Sequence, residues 1–207
     1  MFLDRDRKVW LACSEGDWRP ALQCVKIERT EPYHSPIDAH TEFNGRAIAV
    51  NGYIMAVVPV ELDEGEEDCL IPRDVFLQAA KVRGVDKEYD HLFLGLGKAD
   101  ERIVLANGWT APKYTPVAPA KPFPDWRAIV PRRADVLGLV DPLRAFNPAL
   151  LQTLRVAIGA VEGVLLTLPT ERSSALLVET RAGSGVGVPV PPFGVLMPMH
   201  AGQGVKP

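Results

Sequence analysis

Apolar and polar positions change rhythm several times along the chain, and each change marks an element. Lys8 to Cys13 is a short apolar run that reads as a strand. Leu22 to Arg29 alternates, with Leu22, Cys24 (or Val25) and Ile27 as candidate inward positions. Arg46 to Val50 and Tyr53 to Val60 are apolar runs on either side of Asn51-Gly52. That pair between such runs predicts a hairpin, because both residues tolerate positive φ. Glu61 to Asp68 is an acidic stretch and reads as a solvated loop.

The rhythm then becomes helical. Pro72 stands where a missing N–H costs nothing, and Asp74 suits the positive end of the helix dipole. Val75, Phe76, Ala79, Ala80 and Val82 give an apolar stripe, and Gly84 can end the helix. Strands are expected at His91 to Leu96, Arg102 to Ala106 and Pro112 to Val117, followed by a proline-rich connector from Ala118 to Pro124. Phe123 to Pro131 reads as extended. A second helix opens at Phe146-Asn-Pro-Ala-Leu, with Asn147 as N-cap and Pro148 at the first position. Its buried stripe would be Leu150, Leu151, Leu154, Ala157 and Ile158, ended by Gly159 or Gly163. Strands follow at Val164 to Leu168, Ala175 to Thr180 and Gly194 to Met199, and a loose tail from Ala201. A helix followed by three strands therefore occurs twice, which predicts a repeated half-domain built around a sheet.

Composition narrows the class only a little. The chain has 207 residues, enough for one large domain or two small ones. Apolar residues make up 47% and charged residues 24%, as in ordinary soluble globular proteins. A formal net charge of -3 neither demands nor excludes nucleic acid, since basic residues can gather on one face. Cys13, Cys24 and Cys69 show no CxxC or Cys/His spacing, which points to unpaired buried thiols in a reducing cytoplasm. The first residues lack an apolar signal core, and no run reaches the roughly 18 apolar residues of a spanning helix.

Enzymatic readings find little support. Gly183-Ser-Gly-Val-Gly lacks the Lys-Ser/Thr of a phosphate loop and opens no helix. Ser173-Ser174 has no Gly-x-Ser-x-Gly context. His34, His40 and Asp38 could in principle hold a metal but read better as a loop. The acidic stretch lacks the placed ligands of a calcium loop. The expectation is a protein that is not an enzyme and needs no cofactor or metal.

Four segments resemble the bacterial DNA polymerase sliding clamp, the beta subunit of the replicative polymerase. Gly52-Tyr-Ile-Met-Ala-Val-Val is similar to the family's Asp-Gly-His-Arg-Leu-Ala strand. Leu70-Ile-Pro-Arg-Asp-Val-Phe-Leu is similar to its Val-Pro-Arg helix start. Phe123-Pro-Asp-Trp-Arg-Ala-Ile-Val-Pro is similar to its Phe-Pro-Asp-Tyr-Arg-Arg-Val-Leu-Pro linker. Phe146-Asn-Pro-Ala-Leu-Leu and Val195-Leu-Met-Pro-Met resemble its last helix and terminal strand. The segments run in the family's order, from about Leu22 to Met199. The resemblance implies an α+β clamp fold, with antiparallel sheets, a few helices and about one and a half clamp domains. Residues 1–118 would form a domain like the family's middle one, 119–133 a linker, 134–200 a half domain like the end of its last one, and 201–207 the tail.

The resemblance also implies a function: a processivity factor of DNA replication that tethers polymerase or repair proteins to DNA through short linear motifs. Its peptide pocket would be lined by Leu22, Val50, Gly52, Tyr53, Ile54 and Met55 of the first part, and by Pro124, Ala128 and Ile129 of the linker. From the second part it would take Asn147, Leu150, Ser174, Val195, Met197, Pro198 and Met199. A concave apolar site with adaptable methionines suits such peptides. Sequence-independent contact with double-stranded DNA would fall to Arg73, Lys81, Arg83, Arg132, Arg133, Arg144 and Arg155, acting on phosphates. A ring would require a homo-oligomer, a dimer or trimer, in the cytoplasm and away from membranes. The rival reading is a non-ring peptide-binding module that regulates or decoys clamp partners.

Overall fold

A computed structural model describes residues 1–15, 20–35, 38–82, 91–96, 102–105, 108–112, 123–131, 146–160, 163–167, 175–180 and 189–197. In chain order come strand β1 (Phe2–Asp4), 3-10 turns at Val9–Ala12 and Pro20–Gln23, and strands β2 (Cys24–Ser35), β3 (Asp38–Val50), β4 (Ile54–Val60) and β5 (Cys69–Pro72). Helix α1 (Arg73–Lys81) leads to β6 (His91–Gly95), β7 (Arg102–Leu105) and β8 (Thr110–Pro112). A 3-10 turn at Trp126–Ile129 precedes helix α2 (Pro148–Ala157) and strands β9 (Val164–Thr167), β10 (Leu176–Thr180) and β11 (Phe193–Leu196). The expected order, a helix followed by three strands, appears twice.

The strands form two antiparallel sheets. One has the order β1-β6-β7-β8, and the other β5-β2-β3-β4-β11-β10-β9. The larger sheet is continuous across the chain's two parts, because β4 pairs with β11 from Ile54↔Leu196 to Val57↔Phe193. This β4–β11 seam is the structural centre of the molecule.

Alternation along the strands sorts side chains to the two faces of the larger sheet. Val25, Ile27, Ala47, Ala49, Ala56 and Val58 face the main core, where they meet Leu3, Leu92, Leu94 and Ile103 of the smaller sheet. Trp10 and Phe76 stack there, with ring centroids 5.7 Å apart. Leu154 of α2 is also fully buried in this core. Leu22, Ile48, Val50, Met55, Val57, Leu177, Phe193 and Val195 point to the opposite face and form a second cluster under Trp126.

Local chemistry explains the elements. Asn51 and Gly52 make the predicted β3–β4 turn. The Asn51 side-chain oxygen accepts from the backbone N–H groups of Tyr53 and Ile54, both at 3.0 Å, and Gly52 takes φ 90°. Asn147 caps α2 by accepting from the Ala149 N–H at 2.9 Å, with Pro148 following it. Leu154, Ala157 and Ile158 are buried, Leu150 and Leu151 half-buried, and Gly159 leaves the helix at φ 72°. On α1 the buried residues are Val75, Phe76 and Ala79.

Several expectations are corrected. Lys8 to Cys13 is no strand: Val9–Ala12 forms a 3-10 turn that buries Val9, Trp10 and Ala12. Phe123 to Pro131 is not extended throughout, since Trp126–Ile129 winds into a 3-10 turn capped by Asp125. Pro72 closes β5 and stands just before α1, which starts at Arg73. Val25, not Cys24, shares the core face with Ile27. The acidic stretch is not wholly solvated. The Glu66 carboxylate is buried and accepts from the Met1 amino group and from the backbone N–H groups of Leu96 and Asp63, each at 2.9 Å. Gly84, residues 113–117, the glycine-rich 183–187 stretch, Ser173 and the 201–207 tail lie outside the described residues. Among the described residues no helix is long and apolar enough to cross a membrane.

Candidate functional site

Four of the sequence-predicted peptide residues, Leu22, Val50, Met55 and Val195, lie on the second apolar face, and the lid over it is built from charge as well as apolar contact. Strand parity places Glu28 on this face, directly opposite Arg46 of β3. Trp126 is buried over it, with its ring 6.4 Å from that of Phe193. The Trp126 indole N–H donates to the Glu28 carboxylate at 3.2 Å. Arg127 forms a two-point ion pair with the same carboxylate, and Lys26 adds a contact of 3.3 Å. The Arg127 and Arg46 guanidinium groups lie 4.5 and 5.8 Å from the Trp126 ring centre, within cation–π range. Burial alone would raise the Glu28 carboxyl. The Arg127 and Trp126 hydrogen bonds and the charges of Arg127 and Lys26 outweigh it and hold the carboxyl below its ordinary range. Phe123 and Val130 pack beside Trp126 on the same cluster.

The predicted pocket residues do not all share this face. Leu22, Val50, Met55 and Val195 lie in the cluster under Trp126 and are buried. Ile54 and Leu150 belong to the main core on the opposite face. Asn147 and Pro124 are half-buried, and Asn147 spends its side-chain oxygen on the helix cap. Gly52, Tyr53, Ala128, Ile129 and Met197 are exposed. Tyr53 and Met197 are 66% and 38% exposed, and the Met197 N–H donates to the Tyr53 carbonyl at 2.9 Å. They are therefore neighbours where the β4–β11 seam ends. Ser174, Pro198 and Met199 lie outside the described residues.

The DNA candidates are less uniform. Arg73 is half-buried and ion-paired to Glu15 at 2.6 Å. Arg155 turns back to the Ala160 carbonyl at 3.4 Å. Lys81 is exposed at the end of α1. Arg83, Arg132, Arg133 and Arg144 lie outside the described residues.

A cavity of about 370 Å³ opens elsewhere, beside the start of α1, lined in part by Ser14, Glu15, Gln23, Cys24 and Arg73. Burial pushes the thiols of Cys13 and Cys24 up to about 12, which makes them poor nucleophiles. Among the described residues, no group of three or more His, Cys, Asp or Glu side chains could hold a metal ion. His34, considered above for such a role, meets the Thr41 carbonyl at 3.3 Å.

The sequence reading missed Glu28, Arg46, Trp126 and Arg127. Strand parity could have flagged Glu28, a charge placed on a face with apolar neighbours. Trp126 stands inside the linker segment, from which the pocket reading draws only Pro124, Ala128 and Ile129.

No family model and no curated protein sequence matches the chain. Solved structures do. The DNA polymerase III beta subunit of Pseudomonas aeruginosa is 15% identical, with a TM-score of 0.59 over 96% of this chain and 65% of that one. The beta sliding clamp of Caulobacter crescentus is 16% identical, with a TM-score of 0.61 over 96% of this chain and 64% of that one. A sliding clamp from Bartonella birtlesii, bound to griselimycin, is 16% identical, with a TM-score of 0.54 over 96% and 65%. The chain thus spans about 65% of the length of the clamps it matches. At 15–16% identity the likeness is one of backbone and not of sequence: this chain has the fold of the bacterial DNA polymerase sliding clamp.

Proposed function

We propose that this chain works as a sliding-clamp-like tether, holding a polymerase or repair protein near DNA through a short linear peptide. The observation that carries the reading is the clamp fold with its β4–β11 seam, at whose end Tyr53 and Met197 lie side by side and exposed. An aromatic and a methionine on a rigid sheet end suit apolar peptide anchors. Tethering of this kind turns a short-lived polymerase–DNA contact into an effectively intramolecular one. The division into a domain (1–118), a linker (119–133) and a half domain (134–200) is part of this reading. The seam joins the two parts into one sheet, so in this reading they pack as a single unit. Self-association into a cytoplasmic ring around duplex DNA belongs to it as well.

Griselimycin, found bound to the Bartonella clamp, is a ready probe. Calorimetric titration should show binding to this chain. Tyr53→Ala and Met197→Ala should each weaken it about tenfold, as expected for apolar anchors in a peptide site. No binding to the wild type, or unchanged binding to both variants, overturns the site.

A second reading, the non-ring peptide-binding module, is favoured by the state of two DNA candidates: Arg73 is ion-paired to Glu15 and Arg155 is folded back on Ala160. Light scattering across a range of concentrations separates the two. A stable dimer or trimer supports the ring, and a strict monomer at tens of micromolar supports the module.

A further inference from the structure

We propose that Glu28 is a positioning residue for the peptide site: it fastens the Trp126–Ile129 turn over the seam and so sets where Ile129 stands. The inference rests on the peptide-site reading above and adds to it a residue remote from the exposed anchors.

The geometry is specific. Glu28 is buried on β2, at one side of the face. The turn it holds lies over a cluster that spans β3, β4, β11 and β10. Trp126 touches both parts of the chain: its ring meets Phe193 of β11, and its N–H meets Glu28 of β2. The neighbouring Val130 packs on the cluster that contains Val50, Met55 and Val195, next to the strand ends bearing Tyr53 and Met197. Within this turn the charged pair holds one side and the buried indole fills the centre. Ala128 and Ile129 are left facing solvent, Ile129 at 38% exposure. Apolar packing alone would hold Trp126 down but would leave the turn's rotation loosely specified. A two-point guanidinium–carboxylate pair fixes direction as well as distance. The indole N–H, buried with Trp126, needs a partner and has one in the same carboxylate.

Glu28→Gln keeps an acceptor for the indole and removes the charge that orients Arg127. Arg127→Gln removes the other half of the pair. Griselimycin titration and thermal unfolding would be measured on the wild type, both single variants and the double variant. The expected result is about tenfold weaker binding for each single variant and no further loss in the double, the non-additivity of residues that act as one unit. Griselimycin affinity should fall for each variant at temperatures where it is fully folded, so the loss of binding stands apart from the stability that the broken pair also removes. Wild-type binding with Glu28→Gln equally tight overturns the positioning role and leaves the peptide site standing. Losses that add in the double variant and track the melting temperature overturn it in favour of a merely structural contact. A wild type that binds no griselimycin overturns the peptide-site reading, and this inference falls with it.

Discussion

The fit of α2 against the seam gives a sharp mechanical prediction. Gly194 lies in β11 beneath Leu154 of α2. A Cβ placed at Gly194 would stand 2.4, 2.6 and 2.8 Å from Leu154 Cδ1, Cγ and Cδ2. Carbon atoms prefer about 3.5–4.0 Å, so the Leu154 head would have to retreat by about 1 Å. It has nowhere easy to go, because Leu154 is fully buried among Ile54, Ala157, Ile158 and Leu196. Gly194→Ala should therefore destabilise the protein by about 1–3 kcal/mol through overpacking. Leu154→Ala should cost about 2–5 kcal/mol through lost burial and a cavity. In the double variant the new methyl enters the space the leucine leaves, so the combined loss should fall short of the sum by about 1 kcal/mol or more. Urea unfolding of the four proteins measures this directly. For a chain of this size each kcal/mol corresponds to about 2–4 °C of melting temperature, which gives an independent check. A Gly194→Ala variant within about 0.5 kcal/mol of the wild type, or losses that simply add, would refute the packing described for α2.

Three further outcomes follow from the same structure. Because the folded-state carboxyl of Glu28 is held below its ordinary range, its contribution to stability is fully present above the unfolded-state value and is lost as pH falls through the folded one. The stability gap between wild type and Glu28→Gln, followed by denaturant titration, should be widest near neutrality and close in acid; a gap independent of pH would contradict the clasp. With Cys13 and Cys24 at about 12, roughly one thiol in ten thousand is ionised at pH 8. Iodoacetamide should leave both unmodified in the native protein and label them after unfolding, as read by mass spectrometry; native labelling at the rate of an ordinary thiol would show that they are not buried as described. Asn147→Ala removes the α2 cap and should cost about 1 kcal/mol in urea unfolding, with no loss counting against the capping hydrogen bond.

The parts legible in the sequence were those set by local chemistry. Asn51-Gly52 declared its turn, and Asn147-Pro148 declared the start of α2, because both signals act within four residues. Val9–Ala12 was misread because a run this short is equally apolar as a strand or as a turn, and tertiary contact with Phe76 decides. Glu66 was misread because its buried partners, Met1 and Leu96, lie far away in sequence. The site was legible in outline but not in its facing. Ile54 and Met55 are adjacent in one strand and so must point to opposite sides of the sheet, which puts one in each core. The clasp of Glu28, Trp126 and Arg127 joins residues nearly a hundred positions apart, beyond the reach of any local pattern.

The seam also dictates an order of events during synthesis. Its two strands are about 140 positions apart in the chain, so closing it carries the entropy of a very long loop. At elongation rates of about 5–20 residues per second, β4 emerges roughly seven to thirty seconds before β11. All that time the run from Ile54 to Val60, apolar on both faces, presents one bare edge to whatever is nearby. A nascent chain arrested between the two strands should therefore be the most aggregation-prone form of this protein, and the form most dependent on chaperones that shield extended apolar segments.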